Sequence, residues 1–303
     1  MFWPKNNFDS DKIWINNCSV PCSVTYDRRR AFKTDIVLVH QTKSIVEGFI
    51  NRQLQKLALL SLEPFCMYDI AKNLAHVDIL ISFHKFSDVQ VTYSNAVVDS
   101  FKATENMYYH LNKRFNILNR FPNMTIKDQR VLGAFFISQC RSKDRLRYLK
   151  ELMTYIPLDS YGKCLHSKHI DRRTYDKRQT FAKYKFAISF ENSILPDYVT
   201  EKYWQALTSD AIGVYWGAPN IRDYYPKQQN KIMIEVKNYP DPKDLANYLL
   251  MLHYNNTAYL EYFQWRYQQL DETFNRMNIN GFDNGEQHSW ICKTCENYHN
   301  QFQ

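Results

Sequence analysis

The sequence predicts an α/β protein of two domains, built on parallel sheets with helices on both faces. Short apolar strands alternate with amphipathic helices along the chain, which is typical of a doubly wound sheet. The length of 303 residues favours two domains, and 45% hydrophobic residues can form a large core. A polar segment before residue 129 provides a boundary. We therefore expect domains over residues 1–128 and 129–303, with irregular structure over 1–34.

The first domain is predicted to contain a strand, a helix and a second strand. Asp35–Val39 and Val77–Ser82 are short apolar runs of strand type. Between them, capping-box spacing at residues 44–47 opens a helix whose apolar stripe reaches Leu57. The loop that follows carries the carboxylate of Glu63, because a proline comes next and disfavours helical backbone before it.

The second domain shows a more regular alternation of elements. Its predicted strands are residues 131–137, 184–190, 211–216 and 231–236. Its predicted helices are Asp144–Tyr155, residues 201–207, one that starts at Asp241-Pro242, and a last one from Thr257 to Leu270. These units predict a parallel sheet with crossover helices.

Residues 184–204 form the stretch with the clearest functional signal. An alternating strand ends in the polar residues 191–193, a turn follows at Pro196-Asp197, and Thr200 is a good N-cap for the next helix. Ligands of open α/β sheets bind at the carboxyl ends of strands, where this loop lies. The sequence therefore predicts a binding site here.

Two cations at strand-to-helix junctions suggest a phosphorylated ligand. Lys202 lies in the first turn of the helix after the central strand, and Arg145 lies at the start of the helix after strand 131–137. Together they could hold a diphosphate, with Ser138, Asn192 and Tyr198 in the neighbouring loops. No glycine-rich phosphate loop is present. The alternative is that both cations are ordinary solvent-exposed side chains.

The net charge of +8 leaves several classes of partner open. Dense basic clusters occur only at residues 27–30 and 171–173, and neither is interleaved with aromatic residues that would stack on bases. We therefore predict no nucleic-acid partner. No apolar run approaches the length of a membrane span, so any membrane attachment would need an N-terminal anchor that this chain does not contain.

Cysteines and glycosylation sequons point towards the secretory pathway. The seven cysteines include the close pairs Cys18/Cys22 and Cys292/Cys295, and sequons place candidate N-glycosylation sites at Asn17, Asn123 and Asn255. The Cys292/Cys295 spacing, with His288 and His299, is compatible with zinc, but a disulfide or a free pair of thiols is favoured. We expect no metal site and a location in the Golgi or endoplasmic reticulum lumen.

The segment Phe190-Glu-Asn-Ser-Ile-Leu-Pro-Asp-Tyr-Val-Thr-Glu-Lys202 resembles the signature of the α1,3-fucosyltransferases of glycosyltransferase family 10. Further segments resemble family motifs: Asp144–Leu152, Asp159-Ser-Tyr-Gly-Lys-Cys164, Tyr215-Trp-Gly-Ala-Pro219 and Cys292-Lys-Thr-Cys295. Ser61-Leu-Glu-Pro64 is similar to the family's S-x-E-S-P but lacks the second serine. The resemblance covers about residues 60–300.

This resemblance implies a GT-B fold, with two Rossmann-like domains facing a cleft. It also implies a metal-independent inverting reaction that needs no cofactor and uses GDP-β-L-fucose as the donor. On matching positions, Arg145 and Lys202 would neutralise the diphosphate and Glu201 would bind ribose or fucose hydroxyls. Asn192 and Tyr198 would line the guanosine-diphosphate site, with Ser138 nearby.

The resemblance also assigns a general base and an acceptor class. Glu63 lies at the position of the family's S-x-E-S-P carboxylate and would remove the acceptor proton. The main expectation is α1,3 transfer to a GlcNAc-type glycan of a glycoprotein. The alternatives are protein O-fucosylation at Ser or Thr, because Asp159–Leu165 looks most like a divergent animal branch, and a catalytically inactive binding module.

Overall fold

The structure is a computed structural model that describes residues 13–15, 18–40, 51–64, 76–94, 131–170, 176–226, 231–268, 271, 274 and 289–302. The chain divides into two compact units, one of residues 1–92 and 280–303 and the other of residues 93–279. The expected boundary near residue 128 lies outside the described residues. No helix in the described ranges is long and apolar enough to cross a membrane.

The first unit contains a four-stranded parallel sheet in the order β3-β4-β5-β6. Its strands are β3 (Ile36–His40), β4 (Lys56–Ser61), β5 (Ile79–Ser82) and β6 (Val89–Gln90). The strands predicted near residues 35–39 and 77–82 are confirmed. Glu63 follows the carboxyl end of β4 and is exposed.

The helix predicted up to Leu57 is wrong at its C-terminal end. Its start at residues 44–50 lies outside the described residues, but Leu54 is an exposed turn residue and Leu57 is buried in β4. The run of apolar residues in β4 is buried on both faces of the sheet. Such a run has no period of two, so spacing does not separate it from a helix.

A disulfide-bonded layer joins the beginning and the end of the described chain within the first unit. The short strands β1 (Ile13–Trp14) and β2 (Ser23–Val24) pair antiparallel, and a 3-10 helix, Arg28–Lys33, follows. Helix α6 (Ser289–Phe302) is bonded to this segment by Cys18–Cys292 and Cys22–Cys295. The predicted disulfide residues Cys292 and Cys295 are therefore both bonded, but each to an N-terminal cysteine and not to the other.

The second unit contains a five-stranded parallel sheet in the order β8-β7-β9-β10-β11. Its strands are β7 (Gly133–Phe135), β8 (Leu158–Ser160), β9 (Phe186–Phe190), β10 (Ile212–Trp216) and β11 (Ile234–Glu235). The direction of strand order reverses between β7 and β9. In a doubly wound sheet this reversal opens a crevice at the carboxyl ends of the two strands.

Helices cover both faces of this sheet. Phe186, Ile188 and Phe190 of β9 pack in one core with helices α1 (Lys143–Tyr155) and α4 (Pro242–Tyr254). Ala187 points to the opposite core, where it packs with α3 (Glu201–Leu207). β9 is therefore buried on both faces, as a central strand of a parallel sheet should be.

Several sequence-predicted boundaries in the second unit are confirmed by their caps. Thr200 caps α3 by accepting a hydrogen bond from the Lys202 amide, and Asp241 caps α4 with proline at its first position. The helix predicted from Thr257 to Leu270 is wrong. Helix α5 spans Asn256–Glu261, and a 3-10 helix, Gln264–Tyr267, follows it.

The 3-10 helix after this break carries the buried Arg266, which contacts the end of α3. Its Nη2 donates to the carbonyls of Leu207 and Ser209 at the end of α3, at 2.8 and 2.5 Å. These bonds satisfy carbonyls that the end of a helix leaves unpaired. In the second unit, strand β8 and the short helix α2 (Lys177–Phe181) were not predicted from the sequence.

Candidate functional site

A cavity of about 240 Å³ lies at the crevice between the carboxyl ends of β7 and β9. Its described walls are formed by Phe136, Ser138, Gln139, Tyr161, Gly162, Ile170, Lys177, Asn192, Glu201 and Lys202. The fold thus brings together four of the predicted donor-binding residues, Ser138, Asn192, Glu201 and Lys202. All of these described wall residues belong to the second unit.

A buried carboxylate connects the end of β9 to the start of α3. The side chain of Glu191 is fully enclosed and accepts hydrogen bonds from the Thr200 amide at 2.8 Å and the Thr200 hydroxyl at 2.7 Å. The Lys202 ammonium lies 3.5 Å from Glu191 Oε2 and 3.0 Å from Thr200 Oγ1. Burial raises the pKa of Glu191, and Lys202 acts against this rise. Glu191 therefore orients Lys202 and fixes the loop between strand and helix.

Three charged side chains converge at the cavity wall. Glu201 Oε1 lies 3.4 Å from Lys202 Nζ and 3.8 Å from Lys177 Nζ. Burial acts to raise the pKa of Glu201, but the two lysines together hold it below its ordinary value. Glu201 is thus an ionised hydrogen-bond acceptor, suited to hydroxyl groups of a ligand, between two cations suited to phosphate oxygens.

Arg145 lies behind the cavity and not on its described walls. It is 3% exposed, and its Nη1 donates to the carbonyls of Phe190 and Glu191 and to Asn192 Oδ1, at 3.3, 2.8 and 2.9 Å. Its Nη2 donates to the Gln139 carbonyl. In this structure the guanidinium therefore joins the loops after β7 and β9. Direct contact of Arg145 with a diphosphate stays a prediction.

Tyr198 is also enclosed and does not line the cavity. Its side chain is 1% exposed, and its carbonyl accepts from the Tyr215 hydroxyl at 3.4 Å. The preceding residue, Asp197, has a positive φ of 65° and accepts hydrogen bonds from the Asn220 amide and the Tyr224 hydroxyl, at 2.8 and 3.0 Å. Hydrogen bonds therefore join the sequence motifs near residues 197 and 215–224, and these contacts fix the loop that leads from β9 to α3.

A glycine and a disulfide position the loop that carries Ser138. A Cβ atom at Gly162 would lie 2.0 Å from the Ile137 carbonyl oxygen, so only glycine permits this close approach of two backbones. The Cys164 amide donates to the same Ile137 carbonyl at 2.9 Å, and Cys164 forms a disulfide with Cys140. The segments after β7 and β8 are thus held together at the cavity floor.

Lys177 and Tyr161 were missed as candidate residues. Lys177 begins the unpredicted helix α2, and only tertiary structure brings it to the cavity. Tyr161 lies within the D-x-Y-G segment that the sequence comparison singled out, so a signal for it was present. Its hydroxyl pairs with that of Tyr184 at 2.6 Å, and Tyr184 donates to Asp159 at 2.8 Å.

The remaining predicted residues have varied positions. Asn255 is exposed and caps α5, whereas Asn17 and Asn123 lie outside the described residues. Cys292 and Cys295 are oxidised, so their sulfur atoms are not available as thiolate ligands for zinc. Within the described ranges, no cluster of three or more His, Cys, Asp or Glu side chains could hold a metal ion.

Comparison with curated proteins identifies relatives in vertebrates. The chain is 39% identical over 142 residues to GDP-fucose protein O-fucosyltransferase 3 of Xenopus laevis, which covers 44% of this chain and 30% of that protein. The protein of the same name in Danio rerio is 42% identical over 134 residues, covering 42% and 29% of the two chains. The chain therefore spans about a third or less of the length of these relatives.

Solved structures and a family profile agree on the fold. A crystal structure of an alpha1,3-fucosyltransferase matches with a TM-score of 0.57 at 18% identity, over 86% of this chain and 80% of that one. A structure of an alpha1,3-fucosyltransferase with GDP-fucose matches with a TM-score of 0.55 at 18% identity, over 85% and 78%. The fold is thus the expected GT-B fold. The profile "Glycosyltransferase family 10 (fucosyltransferase) C-term" matches residues 126–303, more than half of the chain, so this protein belongs to glycosyltransferase family 10.

Proposed function

We propose that this protein transfers L-fucose from GDP-β-L-fucose to a Ser or Thr hydroxyl of a protein. The assignment of the donor depends on the cavity between β7 and β9, which is lined by Ser138, Asn192, Glu201 and Lys202. This is the position at which a doubly wound sheet binds a nucleotide. The acceptor half rests on the printed name of the relatives, GDP-fucose protein O-fucosyltransferase 3.

The leaving group of this reaction is an anion, and positive charge stabilises it. GDP leaves as a phosphate anion, so a preorganised cation stabilises the charge that develops as the bond to fucose breaks. Lys202 is 18% exposed at the cavity and is held in place by Glu191 and Thr200. In this proposal Lys202 contacts the diphosphate, Glu201 accepts from donor hydroxyls, and Asn192 and Ser138 line the nucleotide site. Arg145 supports the nucleotide site indirectly, by donating a hydrogen bond to Asn192.

Glu63 is our proposed general base for the acceptor hydroxyl. It is an exposed carboxylate that follows the carboxyl end of β4 in the first unit. Inversion requires that the acceptor attack from the face of the sugar opposite the leaving phosphate, so the base must be a group other than those that bind the diphosphate. Glu63→Gln should keep GDP binding and lose transfer by about 10²–10⁴-fold. Weakened GDP binding in this variant would remove Glu63 from the base role.

The acceptor separates this proposal from the expectation of α1,3 transfer to a glycan. The relatives favour the protein acceptor, and the solved α1,3 enzymes are similar in fold alone, at 18% identity. The chain is incubated with GDP-fucose and two acceptor sets: secreted proteins freed of N-glycans, and GlcNAc-bearing glycopeptides. Mass spectrometry should find deoxyhexose on protein Ser or Thr, removable by alkaline β-elimination. Fucose on the GlcNAc set alone would restore the glycan acceptor.

We also propose that the protein works in the secretory-pathway lumen, in the endoplasmic reticulum or Golgi. The three disulfides of the described chain support an oxidising compartment. A protein acceptor passing through that pathway would be its partner.

A further inference from the structure

We propose that Lys177 is a second diphosphate-binding cation, paired with Lys202 across Glu201. This inference deepens the proposed function, on which it rests. The sequence pairs Lys202 with Arg145, but the ammonium groups on the described cavity walls are those of Lys177 and Lys202. Both lie close to the same carboxylate oxygen of Glu201, at 3.8 and 3.4 Å.

The local structure holds Lys177 in this place. Asp176 caps α2 by accepting from the Arg178 amide at 2.7 Å, and the Thr180 hydroxyl donates to the Asp176 carbonyl at 2.9 Å. Phe181 packs in the same core as α3, which fixes the start of α2 beside the start of α3. The Lys177 side chain is 23% exposed and its ammonium lies 5.9 Å from the centre of the Phe136 ring. These contacts of protein groups place both the helix and its first side chain at the cavity wall.

The neighbouring charges leave this pair of lysines suited to an additional anion. Glu201 is one partly exposed carboxylate shared by two ammonium groups. The buried Glu191 forms a further ion pair with Lys202 at 3.5 Å, so within the described residues the ion pair of Lys177 is with the shared carboxylate. Burial lowers the pKa of Lys177, and Glu201 only partly opposes this effect. A diphosphate carries several negative oxygens, so it can accept from both lysines while Glu201 turns to ligand hydroxyls.

Arg145 does not compete for this role in the structure. Its Nη1 and Nη2 donate to main-chain carbonyls and to Asn192, so it acts as a positioning residue for the loops after β7 and β9. The diphosphate pair is therefore made by lysines in the first turns of two adjacent helices, α2 and α3, which pack against one another.

The test compares GDP and guanosine binding by calorimetry for the full chain and three variants. Lys177→Met removes the charge but keeps most of the side-chain length, and Lys177→Arg restores the charge. Lys183→Ala is the matched control, because Lys183 is an exposed lysine just after α2. We expect Lys177→Met to bind GDP about tenfold or more weakly with guanosine binding unchanged. Lys177→Arg and Lys183→Ala should bind GDP close to the unaltered chain.

Two outcomes would overturn the assignment while leaving the proposed function intact. In one, Lys177→Met binds GDP as tightly as the unaltered chain. In the other, Lys177→Met weakens GDP and guanosine equally, or Lys177→Arg fails to restore GDP binding, which would indicate a structural role for the lysine. If the unaltered chain binds GDP no better than guanosine or UDP, the proposed function fails and this inference fails with it.

Discussion

Glu191 and Arg145 are charged residues that are almost fully enclosed by protein. Each binds groups of neighbouring loops, Glu191 the Thr200 amide and hydroxyl and Arg145 the carbonyls of residues 139, 190 and 191. Buried charges are tolerated only with such partners. Lys177 and Lys202, by contrast, reach the cavity with 23% and 18% of their side chains exposed. The enclosed, hydrogen-bonded charges of Glu191 and Arg145 therefore stabilise the loops of the site. The partly exposed charges of Lys177 and Lys202 are accessible to a ligand.

At this scale we expect Glu191→Gln to change how stability depends on pH. A glutamine can still accept from the Thr200 amide, so that hydrogen bond is kept while the titrating carboxyl group is removed. Burial raises the pKa of Glu191 above 4.5, so the folded state binds the proton more tightly than the unfolded state. The contribution of Glu191 to stability is then present at low pH and is lost as pH rises above that value.

Denaturant unfolding of the chain and of Glu191→Gln, from about pH 4 to pH 8, measures this effect. The free energy of unfolding of the variant should rise relative to that of the unaltered chain as pH increases. A relative fall would show that the Lys202 ion pair, and not burial, dominates the carboxylate.

At the cavity, the segments that follow β7 and β8 lie close together because their main chains are in direct contact. Gly162 lies against the main chain of Ile137, and the disulfide Cys140–Cys164 joins the same two segments. The order of strands places this contact beside the reversal between β7 and β9. The loops after β7 and β8 are therefore fixed to one another on one side of the sheet reversal.

We expect Gly162→Ala to weaken both stability and GDP binding. The added methyl group would meet the rigid Ile137 backbone at 2.0 Å, and overpacking of this kind costs about 1–3 kcal/mol or more. Gly213→Ala is the matched control, since its methyl group would meet the flexible end of Met233 and lies away from the cavity walls. Thermal unfolding and GDP calorimetry compare the two. Equal GDP affinity in both variants would show that the 137–162 contact does not position the site.

Elements with clear end signals could be predicted from the sequence. Thr200 and Asp241 marked the starts of α3 and α4 correctly because a capping side chain is a local feature. Strand β4 was missed because a strand buried on both faces has no alternating pattern. Lys177 was missed for another reason: its role depends on where α2 packs, and short helices owe their stability to such packing.

At the scale of the whole molecule, the disulfide pairing could not be read from the sequence. Two Cys pairs allow three connectivities, and two of these run both bonds between the N-terminal segment and α6; the structure has Cys18–Cys292 with Cys22–Cys295. The bonds span 274 and 273 residues of sequence, so either of them closes nearly the same loop. Both lie in the first unit, whereas the cavity walls lie in the second.

We therefore expect the two disulfides to be largely redundant for stability. Removing one pair, as in Cys18→Ser with Cys292→Ser, should cost less than about 1 kcal/mol, because the other bond still closes the loop. Removing both pairs should cost about 5 kcal/mol through loop entropy. Guanidinium unfolding measures these costs, and GDP binding should survive in the single-pair variant. Equal costs for one pair and for both would contradict redundancy.

The central claim is that the cavity between β7 and β9 uses GDP-fucose as a sugar donor. The most direct measurement is the rate of nucleotide release from GDP-fucose, GDP-mannose and UDP-sugars by the purified chain without acceptor. We predict slow GDP release that is fastest from GDP-fucose. Lys202→Met should reduce it about a hundredfold or more, and Lys183→Ala should leave it unchanged. Faster release from another sugar nucleotide would contradict the use of GDP-fucose as the donor. Tight GDP binding with no release from any sugar nucleotide would contradict transferase activity.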